Sequence, residues 1–442
     1  MKNERPETAA PPSDTQNASR GVAYPSGHTL AIPALGLIVL VGASGAGKST
    51  FAARHFRPTE ILSSDAYRGI VGDDPADQAV TAAAFDALHH IANLRLRLGR
   101  LTVVDATSVQ PADRAQLIAI AREHDVPAVA IIFDLAEAIC RQRNAERMEH
   151  RVPTGVLLHQ IHLLHQGLRT VEREGFTSIY RLRTPREVDA AEVIRLPLDC
   201  DRGTERGPFD IIGDVHGCLE ELRDLLAALG YTADDAPGWR HPAGRRAVFV
   251  GDLVDRGPFV VETVRLVARM VAAGQALCVP GNHDEKLLRY LNGRTVQVRH
   301  GLERSVAQIE AMPAPARAVW VTGFRDLFAR MAAHLVLDGG ALVVAHAGMP
   351  ERYQGRESGR VRAFALFGAT TGASDELGLP VRLDWAADYR GPAAVVYGHT
   401  PVPAPVWRNN TLNIDTGCVF GGRLTALRWP ERELVSVGAR AV

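Results

Sequence analysis

Five times between residues 209 and 399, a short apolar run stops on a metal-ligating side chain. The first run is Phe209–Ile212, closed by Gly213-Asp214-Val215-His216-Gly217. The second ends on Gly251-Asp252, the third on Gly281-Asn282-His283, the fourth on Ala345-His346 and the fifth on Gly398-His399. An apolar strand that ends on a carboxylate, amide or imidazole beside a glycine puts a ligand on a tight turn that other groups can approach closely. One such turn is a weak signal. Five in order, supplying two Asp, one Asn and four His, point to one polynuclear metal site.

Asp214 and His216 are expected to bind a first metal. Asp252 is the expected bridge, because a carboxylate has two oxygens and can span two cations. Asn282, His346 and His399 are expected to hold the second. Two divalent cations roughly 3.5–4 Å apart can bind phosphate oxygens and acidify a shared water. Mixed O/N ligands suit Mn²⁺, Fe²⁺, Ni²⁺ or Zn²⁺ over Ca²⁺. His283 is placed to donate a hydrogen bond or proton to a leaving oxygen, with Asp255 orienting it. Arg256 can clamp a phosphate. Asp415, before Thr416-Gly417, either completes the first metal's shell or caps a turn. The segment from about 291 to 335 is helical in pattern; its Arg294, Arg299 and Arg304 either meet a polyanion or face solvent.

A second signal lies upstream. Leu37–Val41 is a continuous apolar run, as expected of a buried parallel strand. It leads into Gly42-Ala-Ser-Gly45-Ala-Gly47-Lys48-Ser49-Thr50 and then a helical pattern. That is a P-loop in the strand–loop–helix setting the motif needs. Its amides and helix N-terminus point at a phosphate chain. Lys48 reaches the β and γ phosphates of ATP, and Ser49 ligates Mg²⁺.

Asp65 and Arg68 follow a short apolar stretch. Asp65 either takes the proton of an acceptor hydroxyl or caps a helix with Ser64. Arg68 can hold an acceptor phosphate. Asp74-Pro75 is expected to open a helix with Val80, Ala84, Leu88 and Ile91 as its apolar stripe. Asp105 ends another strand and either supports Mg²⁺ or caps a turn. Arg143 and Arg147, four apart, are expected to share a helix face and close over ATP phosphates.

The rest sets bounds. With 442 residues, two or three domains are expected. A formal net charge of +0 provides no global attraction to nucleic acid or membrane. Five scattered cysteines without a C-x-x-C pair suit a reducing cytoplasm. No apolar run reaches transmembrane length. Residues 1–25 read as a disordered tail, 26–190 as a P-loop domain, 191–206 as a linker and 207–442 as the metal-binding domain.

The five ligand motifs resemble those of binuclear metallophosphoesterases. Asp284 stands where the third motif usually has Glu. Pro401 stands where many members carry a second His, which leaves the first metal to Asp415 or water. The order of modules is the more specific clue. A P-loop kinase with Ser64-Asp65-Ala-Tyr-Arg68, then Asp105, then Arg143 and Arg147, then the phosphoesterase, resembles bacterial polynucleotide kinase-phosphatase. The resemblance implies an α/β chain, a P-loop kinase domain with a parallel sheet followed by a metallophosphoesterase β-sandwich flanked by helices. It implies phosphorylation of 5′-OH polynucleotide ends from ATP and removal of 2′,3′-cyclic or 2′-phosphates with Mn²⁺ or Ni²⁺, in RNA repair. By that match Asp65 is the general base, Arg68 an acceptor contact, and Arg143 and Arg147 donor-phosphate contacts. Such enzymes typically continue into a ligase module with a K-x-D-G motif. No such motif occurs in this sequence. A rival reading is a healing subunit that docks a separate ligase or RNA methyltransferase. The alternative is a dinucleoside-polyphosphate or protein phosphatase whose P-loop domain senses ATP.

Overall fold

Thr29–Pro33 forms β1 and Leu37–Val41 forms β2 in a computed structural model of the chain. The structure describes residues 29–148, 151–233, 238–374 and 380–440; the expected tail at 1–25 lies outside them. Two units divide between Leu196 and Pro197.

In the first unit β2 is joined by Ile61–Ser63 (β3), Thr102–Asp105 (β4), Ala128–Phe133 (β5), Ser178–Leu182 (β6) and Glu192–Leu196 (β7). The sheet runs β3-β4-β2-β5-β6 with every neighbour parallel. All five residues of β2 are buried. Ile38 and Leu40 pack with Phe51 and Leu157 on one face, Leu37 and Val39 with Leu88 and Leu117 on the other. Helices on both faces explain why the run is apolar throughout rather than alternating.

Three expectations need correcting. The stretch 191–206 is not simply a linker, because β7 pairs in parallel with β1 over five residues. The long helix begins at Thr81, not at Asp74-Pro75, and runs to Arg97. Asp74 and Asp77 instead accept hydrogen bonds from the amides of Ala76 and Ala79, and these local turns replace a helical start. The basic helix is Glu137–Ala145, so Arg147 lies past its end and shares no helix face with Arg143. Asn144 exchanges two hydrogen bonds with the backbone of Val152, which turns the chain back.

The second unit is a two-sheet sandwich. Its first sheet contains Phe209–Ile212 (β8), Arg246–Phe249 (β11), Ala276–Cys278 (β12), Arg423–Trp429 (β19) and Glu433–Gly438 (β20), in the order β12-β11-β8-β19-β20. A short ribbon of Thr232–Ala233 (β9) and Trp239–Arg240 (β10) lies between β8 and β11 in sequence. The second sheet contains His334–Leu337 (β13), Leu342–Ala345 (β14), Ala394–Tyr397 (β17) and Thr411–Asn413 (β18). Thr370–Ser374 (β15) and Pro380–Arg382 (β16) form a separate ribbon. Phe209, Ile211, Val248 and Leu427 meet Leu342, Val344, Val396 and Leu412 between the sheets. Helices Leu219–Ala228 and Val260–Ala272 cover the first sheet's outer face through Leu222, Leu225, Val264 and Val267. Residues 302–310 and 314–329 are helical, but 292–301, with Arg294 and Arg299, are not.

Strands β8, β11 and β12 are mutually parallel, and so are β14, β17 and β18. Each ligand-bearing turn therefore leaves the same end of its sheet. Among the described residues, no helix is long and apolar enough to cross a membrane.

Candidate metal centre and nucleotide site

The strand tips of the second unit bring their side chains together. Asp252 Oδ2 lies 3.5 Å from His216 Nε2 and 3.5 Å from His346 Nε2. One carboxylate thus faces both halves of the cluster, the posture expected of a bridge. His216 Nδ1–H donates to the Val254 carbonyl at 2.7 Å and His346 Nδ1–H to the Val250 carbonyl at 3.0 Å. Those bonds fix both tautomers with the Nε2 lone pair turned into the site. His346 Nε2 then faces Asn282 Oδ1 and His399 Nδ1, each at 2.9 Å. Donors about 2.1 Å from one cation at roughly right angles lie about 3 Å apart, so this spacing suits a shared ion.

Electrostatics agree. Burial and the facing carboxylates of Asp415 and Asp252 push the Asp214 carboxyl up. Asp214 Oδ1 is buried with no hydrogen-bond partner, while Oδ2 accepts from the His399 amide at 3.0 Å. Burial drives His216 down to about 3, so it is a neutral donor of its lone pair. Burial alone would raise Asp252, but the neighbouring imidazoles, His346 first and then His283, outweigh it and hold its carboxyl below the usual carboxylate range. Buried carboxylates held this close need a cation, and the donor set fits two divalent metals. Asp415 is electrostatically coupled to Asp214 and Asp252, and also caps its turn by accepting from the Gly417 amide at 3.0 Å.

His283 sits beside this group. Its Nδ1 pairs with Asp255 Oδ2 at 2.6 Å. Burial opposes its protonation, but Asp252 and the hydrogen-bonded Asp255 prevail and raise it. Arg256 donates to His216 Nε2 at 2.6 Å and to His283 Nε2 at 2.9 Å, with its guanidinium 5.1 Å over the Phe420 ring.

In the first unit, the P-loop joins β2 to the helix Lys48–His55, with Gly47 at φ 94° on its N-terminal boundary. Lys48 is buried and its Nζ donates to the carbonyls of Gly42 (2.7 Å) and Ala43 (3.0 Å). Burial lowers its ammonium, while Asp105 and Asp65 pull the other way. Asp105 accepts a hydrogen bond from Ser49. That contact places the strand-end carboxylate beside the P-loop hydroxyl. Asp65 is half exposed and paired with Arg68, whose Nε also donates to the Pro75 carbonyl at 2.9 Å. Arg143 and Arg147 line a cavity of about 220 Å³ with Gly45, Gly47 and Thr50. They meet there although they share no helix face.

Comparison with known proteins separates the two units. Residues 37–169 match an AAA domain family, and residues 207–403 match the calcineurin-like phosphoesterases. A bis(5′-nucleosyl)-tetraphosphatase PrpE of Anoxybacillus flavithermus is 50% identical over 230 residues, 52% of this chain and 93% of that protein. Another, from Halalkalibacterium halodurans, is 49% identical over 232 residues, 52% of this chain and 94% of that protein. The chain belongs to the calcineurin-like phosphoesterases. Its phosphoesterase unit follows an AAA-type P-loop unit in one polypeptide.

Sequence reasoning names Asp284 without giving it a role and does not reach Ser305. Asp284 accepts from the amides of Leu253 (3.0 Å) and Gly281 (2.9 Å), fastening the Asp252 turn to the Asn282 turn. Ser305 Oγ donates to Asp255 Oδ1 at 2.6 Å and accepts from the Asp255 amide at 2.9 Å. Asp284 was visible as the last residue of the third motif. No local signal marks Ser305, fifty residues from its partner.

Proposed function

We propose that this chain heals nucleic-acid ends: an ATP-dependent kinase of 5′-OH polynucleotide ends joined to a phosphatase of 2′,3′-cyclic or 2′-phosphates, in RNA repair. The observation that carries the kinase half is a carboxylate, Asp65, that faces the P-loop Lys48 electrostatically and is ion-paired to Arg68. A P-loop that only senses ATP has no need of an acceptor base. In the proposed reaction Asp65 takes the acceptor hydroxyl's proton as its oxygen bonds to the γ-phosphorus and ADP leaves. Lys48, Arg143 and Arg147 hold the donor phosphates, Ser49 and Asp105 hold Mg²⁺, and Arg68 orients the acceptor.

In the phosphoesterase unit Asp214, His216, Asp252, Asn282, His346, His399 and Asp415 would hold two divalent metals, Mn²⁺ or Ni²⁺ by the family resemblance. When bound, such ions supply Lewis acidity and an activated water. Arg256 orients the phosphate. His283, whose basicity Asp252 and the hydrogen-bonded Asp255 raise, donates to the leaving oxygen once Arg256 has left its Nε2 for the phosphate.

A second reading is supported by the relatives. Their name is bis(5′-nucleosyl)-tetraphosphatase, at about half identity across nearly their whole length. The phosphoesterase half would then hydrolyse dinucleoside polyphosphates. One experiment separates the two. The chain is incubated with labelled ATP, Mg²⁺, Mn²⁺ and a 5′-OH RNA bearing a 2′,3′-cyclic end, beside an arm with diadenosine tetraphosphate. Phosphate transfer lost in Lys48→Ala but kept in Asp252→Asn, with end cleavage showing the converse, supports end healing. Turnover of the dinucleotide alone, with no label on RNA, overturns it in favour of the second reading.

A further inference from the structure

A concave site of about 340 Å³ lies in the P-loop unit, away from the P-loop. Its walls come from the turn before β3, the end of the helix Thr81–Arg97, the turn before β4, and β7. The P-loop leaves the C-terminal end of β2, which is parallel to β4 and through it to β3. The turns that enter β3 and β4 therefore sit at the opposite edge of the sheet.

Four arginines reach this site: Arg57, Arg95, Arg100 and Arg195. The carboxylate among them, Glu60, is already satisfied. Arg195 grips it through two bonds, Nη1 to Oε1 at 2.8 Å and Nη2 to Oε2 at 2.7 Å, and the Arg57 amide donates to Oε2 at 2.9 Å. Arg195 is further held 5.8 Å over the Phe56 ring. Arg57 also bears on Glu60 electrostatically, but among the described residues that line the site one carboxylate stands against four guanidiniums. Arg95 spends one nitrogen on the Leu101 carbonyl, at 2.8 Å, while its buried Nε has no hydrogen-bond partner. Cations near a helix C-terminus are ordinary, and Arg95 alone would be explained that way. Arg100 lies in the closing turn of the same helix, its amide bonded to the Arg95 carbonyl at 2.9 Å, but Arg57 comes from the separate turn before β3, so the helix does not account for it. The Thr59 hydroxyl adds a donor beside them.

We propose that this pocket is a second anion site, which takes an oligophosphate group from a nucleoside polyphosphate or from inorganic polyphosphate. Planar guanidiniums brought to one cavity from the turn before β3, the helix end and β7 match the spread charge of a di- or triphosphate better than a single phosphate. The cavity has room for such a group. The site is independent of the reading of either active centre.

The test is isothermal titration of the full chain carrying Lys48→Ala, with EDTA present, using inorganic triphosphate, ATP and a single-stranded oligonucleotide. Binding of triphosphate is expected to fall at least tenfold in Arg57→Ala/Arg100→Ala and to be only partly restored in Arg57→Lys/Arg100→Lys, which keep the charge but not the planar fork. It should also weaken as salt rises. Both positions are exposed, and melting curves of the variants control for folding. ATP binding more tightly than triphosphate supports the nucleoside source, and equal affinities support the inorganic one. Triphosphate binding unchanged in the double alanine variant, or binding of the oligonucleotide alone, overturns the proposal.

Discussion

At the scale of single residues, the phosphoesterase site is built on left-handed backbone. His216, Asp252, Arg256, Asp255 and His399 have φ of 46°, 48°, 66°, 72° and 77°. Each costs about 1 kcal/mol or more, and such strain persists only where the surroundings over-determine it. The close packing behind these turns is specific. A Cβ on Gly398 would overlap Asp214 Oδ1, the buried oxygen that lacks a protein partner. Gly398→Ala should therefore displace Asp214. If the site holds the two divalent metals proposed for it, the amount of divalent metal bound in equilibrium dialysis is expected to fall, with phosphoesterase activity lower by at least about tenfold. The side chains that cluster here were legible because each ends an apolar run. Ser305 was not, because a side chain that orients another from fifty residues away leaves no spacing to read.

His334 yields a separate prediction at this scale. It is fully buried on β13, Nε2 accepts from the Gly355 amide at 3.0 Å, and Nδ1 has no partner. Burial lowers it to about 4 from an ordinary value near 6.5. Between those values the unfolded chain binds the extra proton, so stability is full above pH 6.5 and declines as the pH falls toward 4. The total loss is about 3 kcal/mol. Glutamine keeps the acceptor and cannot titrate. His334→Gln should therefore lose about that much less stability between pH 7 and 4, measured by urea unfolding of the two proteins side by side.

At the scale of elements, periodicity located the strands well and the helix ends poorly. β2, β4 and β5 follow from their apolar runs, and the P-loop follows from its motif. The arginine helix stops at Ala145 because Asn144 turns inward to bond Val152, a long-range contact that no four-residue period reports. The consequence is that Arg147 owes its position to Asn144 rather than to a helix. Asn144→Ala should leave Arg143 in place and release Arg147. Phosphate transfer from ATP is expected to drop about tenfold, chiefly in kcat, with phosphoesterase turnover unchanged. Loss of both activities would mean that the substitution unfolds the chain instead.

At the scale of the whole molecule, composition marked a boundary near residues 191–206, and the actual division is sharper and sits inside it, after Leu196. Mixed polar composition hid β7, whose residues are mostly exposed. The strand is nonetheless the last part of the P-loop unit. It covers β1 along five residues, and its Arg195 fixes Glu60, just ahead of β3. A fragment ending at Ala190 would lose both, leaving the backbone of β1 unpaired beside buried Leu30 and Ile32. A fragment ending at Leu196 keeps them. The longer fragment is expected to unfold in one cooperative transition and the shorter one to melt lower or aggregate, read by circular dichroism and light scattering. Among the described residues the phosphoesterase sheets take no strand from before residue 197, so a 197–442 fragment should keep the metal binding and phosphatase turnover proposed for this unit. If that fragment lost turnover while retaining two metals, the P-loop unit would have to contribute to phosphoester cleavage, and treating the two active centres as separable would be wrong.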